Sequence, residues 1–175
     1  MSKLFVDEIK GNTGTTVTVP TGQKIAGTDT GSVYAPGMII QTIVSEFTTG
    51  NVNPSNSQTW TTVGPNVTIT PKFSNSRVLL THSCAGLMSQ TNYIGVRFLR
   101  GSTDIGTHWG WTDNTNYIPV NLDMINYDNP ATTSATTYYV QIYATQNQGQ
   151  FHYNYAGFSG GGTRQCLLMA QEIAQ

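Results

Sequence analysis

The residues best equipped for chemistry lie together in His108-Trp109-Gly110-Trp111-Thr112-Asp113-Asn114-Thr115-Asn116-Tyr117. Exposed indoles stack on the faces of sugar rings, and Asn and Asp supply directional hydrogen bonds around them. His108, Trp109, Trp111, Asn114, Asn116 and Tyr117 are therefore the candidate contacts for a glycan or receptor. The competing use is packing: Trp109 and Trp111 are two residues apart, so on a strand they share one face and would equally fill a sandwich or a subunit seam. Trp60 is assigned to core packing. The polar run Gly50-Asn51-Val52-Asn53-Pro54-Ser55-Asn56-Ser57 either touches a receptor or closes a sheet edge.

Catalysis finds little support. Cutting a glycosidic bond needs two carboxylates a few ångströms apart. The acids available after residue 37 are Glu46, Asp104, Asp113, Asp123, Asp128 and Glu172. Asp123 and Asp128 lie near one strand end, with Asp113 before it, so a pair could form in space, but spacing alone does not establish one and loop aspartates are far more often turn formers. No G-x-S-x-G elbow, P-loop or Ser-His-Asp order occurs, and the chain reads as a non-enzyme without a cofactor. His82, His108 and His152 are too far apart for a local ligand pair, and no C-x-x-C or calcium-loop pattern occurs, so no metal is expected.

Composition narrows the partners. Of the 175 residues only 10% are charged, with Lys+Arg 8 against Asp+Glu 9, so no basic stripe exists to displace counterions from nucleic acid. The 38% hydrophobic and 10% aromatic content, rich in Thr, Val, Ile and Tyr, suits buried sheet rather than disorder. The start, MSKLFVDEIK, is too short in apolar residues for a secretory leader, and no run approaches the length of a membrane helix. Cys84 and Cys166 sit in apolar strand-like runs and are expected as buried free thiols, with a disulfide between them as the alternative.

These residues must be positioned by strands. Residues 1–36 are Gly- and Thr-rich, with isolated apolar pairs such as Val17/Val19, and have too few buriable side chains to offset about 1–2 kcal/mol of ordering cost per residue. They are expected to form an extended stem, completed by other chains; about 30 residues at about 3.3 Å each would reach on the order of 100 Å. From residue 37 to 175, short strand-like runs alternate with Gly, Asn, Ser and Pro clusters, and no window shows helical periodicity. Ten strands are predicted: 38–47, 59–63, 66–70, 77–88, 93–100, 105–109, 118–126, 136–145, 150–156 and 166–174. They fit a double-sheet, all-β sandwich.

Residues 136–156 read as a hairpin about Gln146-Asn147-Gln148-Gly149. In one register Tyr139, Gln141, Tyr143, His152 and Asn154 face outward. A one-residue slip instead exposes Tyr139, Tyr143, Phe151, Tyr153 and Tyr155, roughly 750 Å² of ring at about 150 Å² each. Either face is aromatic and almost uncharged, the composition of a subunit contact, and an oligomer buried through this sheet is expected.

The opening KLFVDEIKGNTGTTVTVPTGQKIAGTDTGSVYAPG resembles the N-terminal stem of tail-fibre and related virion proteins of marine bacteriophages. The later phrases WTTVG, VTITPKFSNSRVLL, FLRGS and MAQEIAQ resemble the C-terminal domains that follow such stems. The resemblance implies an antiparallel jelly-roll head similar to those of tumour necrosis factor, a homotrimer, and a place in the virion after assembly in the host cytoplasm. It implies partners among other virion proteins (a tail hub, adaptor or capsid), with Leu4, Phe5, Val6 and Ile9 as docking candidates, and a host polysaccharide or protein receptor. Nucleic acid and membrane insertion are not expected. Proteins with such stems occupy different virion positions, and this chain is short for a fibre. A head fibre, capsid decoration or connector therefore stands beside the tail fibre.

Overall fold

The computed structural model describes residues 17–30, 32–47, 58–88, 92–112, 118–144, 151–153 and 166–175. By internal contacts the chain divides into Met1–Val33 and Tyr34–Gln175. In the first unit every described residue is exposed, including Val17, Val19 and Ile25. Local turns order it: the Gln23 amide donates to the Pro20 carbonyl, and the Ser32 amide and hydroxyl both donate to the Asp29 carbonyl. Leu4, Phe5, Val6 and Ile9 lie outside the described residues.

The second unit is built from strands alone among the described residues. They are β1 (Ile39–Phe47), β2 (Thr61–Ile69), β3 (Arg77–Ser83), β4 (Ala85–Met88), β5 (Asn92–Arg100) and β6 (Thr103–Thr112). There follow β7 (Ile118–Asn121), β8 (Met124–Asp128), β9 (Thr136–Ala144), β10 (Phe151–Tyr153) and β11 (Cys166–Ile173). All pairings are antiparallel. The sheet orders are β1-β11-β3-β8, β10-β4-β7 and β2-β9-β5-β6. The β4-β7 ladder continues the β3-β8 ladder without a change of register: Val78 faces Asp128 and, beyond the break, Met88 faces Ile118. The break is bridged where the Leu122 amide donates to the Cys84 carbonyl at 2.8 Å.

Burial alternates strictly along β9 and β11, as expected when one side of each strand faces a core and the other does not. Val67, Ile69, Val96, Phe98, Val140 and Ile142 from β2-β9-β5-β6 meet Val78, Leu80, Met124, Leu168 and Ala170 from the opposing sheet in one hydrophobic cluster. β-Branched and aromatic residues dominate these inward positions because they pack well on a pleated surface.

Three buried polar groupings tie the layers and loops. Tyr138 on β9 donates its hydroxyl to Asp128 Oδ2 on β8 at 2.7 Å, and Arg100 Nε on β5 lies 3.1 Å from the same oxygen. Glu172, fully buried on β11, accepts from the amides of Lys72 and Phe73 and from Gln41 Nε2. His82, fully buried on β3, holds Nδ1 2.8 Å from the Leu167 carbonyl.

Several expectations change here. The runs 59–63 and 66–70 are one strand, β2, whose register shifts between Val63 and Asn66; Gly64 at φ 63° and Pro65 are accommodated in that irregularity of an edge strand. The runs 77–88 and 118–126 are each split into two strands. The hairpin expected over 136–156 does not form: β9 pairs with β2 and β5, whereas β10 pairs with β4 in another sheet. Local turn chemistry could not anticipate that two neighbouring segments find different partners. Cys84 and Cys166 are disulfide-bonded rather than free, with Cα atoms 4.3 Å apart. Leu167 pairs with Ser83, so the register between β11 and β3 brings the two adjoining cysteines face to face.

Candidate functional site: an aromatic row on the outer sheet face

Along β5, Ile94, Val96 and Phe98 enter the core, so Gly95 and Arg97 turn to the outer face of their sheet. Register then sets two rows across the strands. Trp109, Gly95 and Tyr143 are direct partners, as are Thr107, Arg97, Gln141 and Thr62. Trp60, just before β2, lies at the end of the first row.

The three rings converge over the glycine. Trp60, Trp109 and Tyr143 lie with each pair of centroids 5.5 Å apart, at interplanar angles of 61° for Trp60–Trp109, 49° for Trp60–Tyr143 and 74° for Trp109–Tyr143. Such tilted and edge-on contacts match the positive edge of one ring to the negative face of the next. Gly95 makes the approach possible, because a Cβ there would meet Trp60 at 2.5 Å and Trp109 at 3.0 and 3.1 Å. Trp109 nevertheless stays 58% exposed.

The second row is polar and fixed. Arg97 lays its guanidinium over the Trp60 ring at 4.3 Å, a cation–π contact, and donates from Nε and Nη2 to Gln141 Oε1 at 3.0 and 2.7 Å. Arg97 Nη1 donates to Asp104 Oδ2 at 3.2 Å, which also accepts from Thr107 Oγ1. Gln141 Nε2 donates to Thr62 Oγ1 at 3.0 Å. The row therefore holds one guanidinium neutralised by one carboxylate, beside a flank of rings.

The sequence-predicted contacts divide. Trp109 belongs to this cluster. His108 pairs with core-facing Val96 and so takes the opposite side of β6, because side chains alternate along a strand. Trp111 lies on β6 opposite Tyr93, with its side chain outside those described. Asn114, Asn116 and Tyr117 lie outside the described residues. Of the expected subunit contacts, Tyr139, Gln141 and Tyr143 share the outer face and are half-buried. His152 sits on β10 opposite Leu87, so it does not join them as the hairpin would have required; Asn154 lies outside the described residues. Trp60 packs in the outer cluster rather than in the core. Arg97 and Gly95 were missed, and only their alternation with Ile94, Val96 and Phe98 could have flagged them.

Three of the six carboxylates weighed for hydrolysis have structural partners. Glu172 caps the Lys72 and Phe73 amides, Asp128 holds Tyr138 and Arg100, and Asp104 holds Arg97, Thr107 and the Gly106 amide. Among the described residues no group of three His, Cys, Asp or Glu side chains could hold a metal ion.

The chain matches no protein-family model and no curated protein. Solved structures do resemble it. The T13 particle of infectious bursal disease virus aligns over 87% of this chain and 40% of that one, with 12% identity and a TM-score of 0.40. The Gx strain of the same virus aligns over 87% and 43%, with 10% identity and a TM-score of 0.39. T=1 particles derived from that virus align over 87% and 41%, with 14% identity and a TM-score of 0.36. The chain spans less than half the length of these proteins, and a likeness this loose carries no assignment of function.

Proposed function

We propose that the protein is a non-enzymatic structural component of a bacteriophage virion. Residues 1–36 form an attachment stem, and residues 37–175 form a trimeric jelly-roll head that contacts the host surface. The strand order supports the head. With β4 and β7 taken as continuations of β3 and β8, β1-β11-β3-β8 facing β2-β9-β5-β6 is the order of an eight-stranded jelly roll, an architecture used by capsid and lectin domains. The stem and the phage setting rest on the sequence phrases quoted above.

The observation that carries the assembly reading is the outer face of the β1-β11-β3-β8 sheet. Ile39 and Val44 on the β1 margin are 53% and 50% exposed, and Ile125 and Tyr127 on the β8 margin are 61% and 60% exposed. Two apolar margins on opposite edges suit a head-to-tail contact, which closes into a ring when the rotation allows. Charge agrees: Glu46 lies on β1, and Arg77 lies 5.8 Å over the Tyr127 ring beside β8. The β1 margin of one copy meets the β8 margin of the next. In this reading the subunit contact lies on the other sheet from Tyr139 and Tyr143, the contact expected from the sequence.

The same apolar margins favour a second, architectural reading, in which the head grips other virion proteins as a head fibre, decoration or connector. Sedimentation separates assembly from its absence. The wild-type chain is expected to run as a trimer, and Ile125→Lys/Tyr127→Lys to run as a folded monomer with an unchanged far-UV spectrum. A wild-type chain that stays monomeric at micromolar concentration would overturn the trimer. Antibody labelling of intact particles locates the protein on tail or head, and particles that never carry label would remove the virion role.

A further inference from the structure

The aromatic row and the polar row beside it form a surface with two unlike flanks only one residue pair apart. A pyranose ring has the same division: one face of C–H groups and a perimeter of hydroxyls. We infer that this face binds a neutral hexopyranoside, with the C–H face on Trp109 and the hydroxyls on Arg97 and Gln141. The inference deepens the host-contact part of the proposed function and rests on it.

Four observations carry the ligand class. Trp109 is 58% exposed although Trp60 and Tyr143 already brace it on Gly95, so a ring is held rigid with area left uncovered. Preorganised aromatic area lowers the ordering cost of binding. Secondly, the interplanar angles of 49° to 74° leave no parallel slot, which disfavours a nucleobase sandwiched between rings. Thirdly, Arg97 spends three of its five N–H donors on Gln141 and Asp104, leaving two to reach hydroxyl oxygens. Fourthly, Asp104 balances the Arg97 charge at 3.2 Å, so the site has no net charge to reward a carboxylate or phosphate on the sugar. That selects neutral over acidic saccharides.

The test is an array of neutral and acidic bacterial saccharides probed with the full chain, followed by fluorescence titration of each neutral saccharide retained. Neutral members are expected to bind, with affinity nearly independent of salt. Trp109→Ala should weaken binding about tenfold or more, and Trp109→Phe, which keeps a ring, should stay within a few-fold of wild type. Both variants should sediment as the wild type does, since neither touches the β1 or β8 margin. Failure of every neutral saccharide to bind at ~10 mM, or binding unchanged in Trp109→Ala, overturns the inference. Exclusive retention of acidic saccharides with steep salt dependence overturns it as well. None of these results bears on the virion role, which labelling and sedimentation decide.

Discussion

Tyr138 on one sheet donates to Asp128 on the other at 2.7 Å, and Arg100 approaches the same carboxylate oxygen at 3.1 Å, so one buried acid joins the two layers. Burial raises the Tyr138 pKa above its ordinary value first of all, and the hydrogen bond to Asp128 raises it further. The phenol stays protonated and donating through the alkaline range in which exposed tyrosines ionise. Replacing it with Phe keeps the ring but leaves Asp128 short of a donor in a buried site.

Tyr138→Phe is expected to lower stability by about 1–3 kcal/mol, read as a lower urea midpoint at unchanged slope. A midpoint equal to wild type would show that Arg100 alone satisfies Asp128.

Acid should destabilise the fold through His82. Burial is the main cause that lowers its pKa to about 4, partly opposed by the Leu167 carbonyl and by Asp123. The unfolded chain takes up this proton near pH 6.5 and the native state only near pH 4. Stability is therefore full above about pH 6.5, falls as pH drops through that window, and levels off below about 4, for a loss of about 3 kcal/mol. Urea melts of wild type and His82→Gln across pH 4 to 7 test it. The variant's midpoint should lose most of this slope, and an equal slope in both proteins would assign the acid sensitivity elsewhere.

Gly95→Val should dismantle the aromatic row while leaving the strands. Even the first added carbon would sit 2.5 Å from Trp60 and 3.0 Å from Trp109, forcing both rings away. The expected readout is a changed near-UV spectrum and changed Trp emission at constant far-UV signal. An unaltered near-UV spectrum would mean that the rings do not depend on this close approach.

Denatured, unreduced protein should show no titratable thiol from Cys84 and Cys166, and reduction should lower the melting temperature, as loss of about 2–4 kcal/mol would. Two reactive thiols per chain before reduction would contradict the bond.

The sequence was sufficient for the all-β class, because strand periodicity and punctuation by Gly, Pro, Asn and Ser are local signals carried by each run separately. It was sufficient for the boundaries of β1, β5, β9 and β11 to within a residue or two, but it left Trp109 open between an exposed ring and a packed one. It also implied that the opening residues lack buriable side chains, and residues 17–30 are indeed exposed throughout.

Pairing was decided only in three dimensions. Nothing near Gly95 in the chain indicates that Trp109 and Tyr143 will flank it, or that Trp60, which looked like core, will close the row. Nothing local sends β9 and β10 to different sheets or sets Cys84 opposite Cys166. Those outcomes depend on which strands share a ladder and in what register, and register is fixed by burying one whole face of each sheet at once. A property of the assembled core cannot be read from any one segment, and the candidate site, made of four strands' outward residues, inherits that dependence.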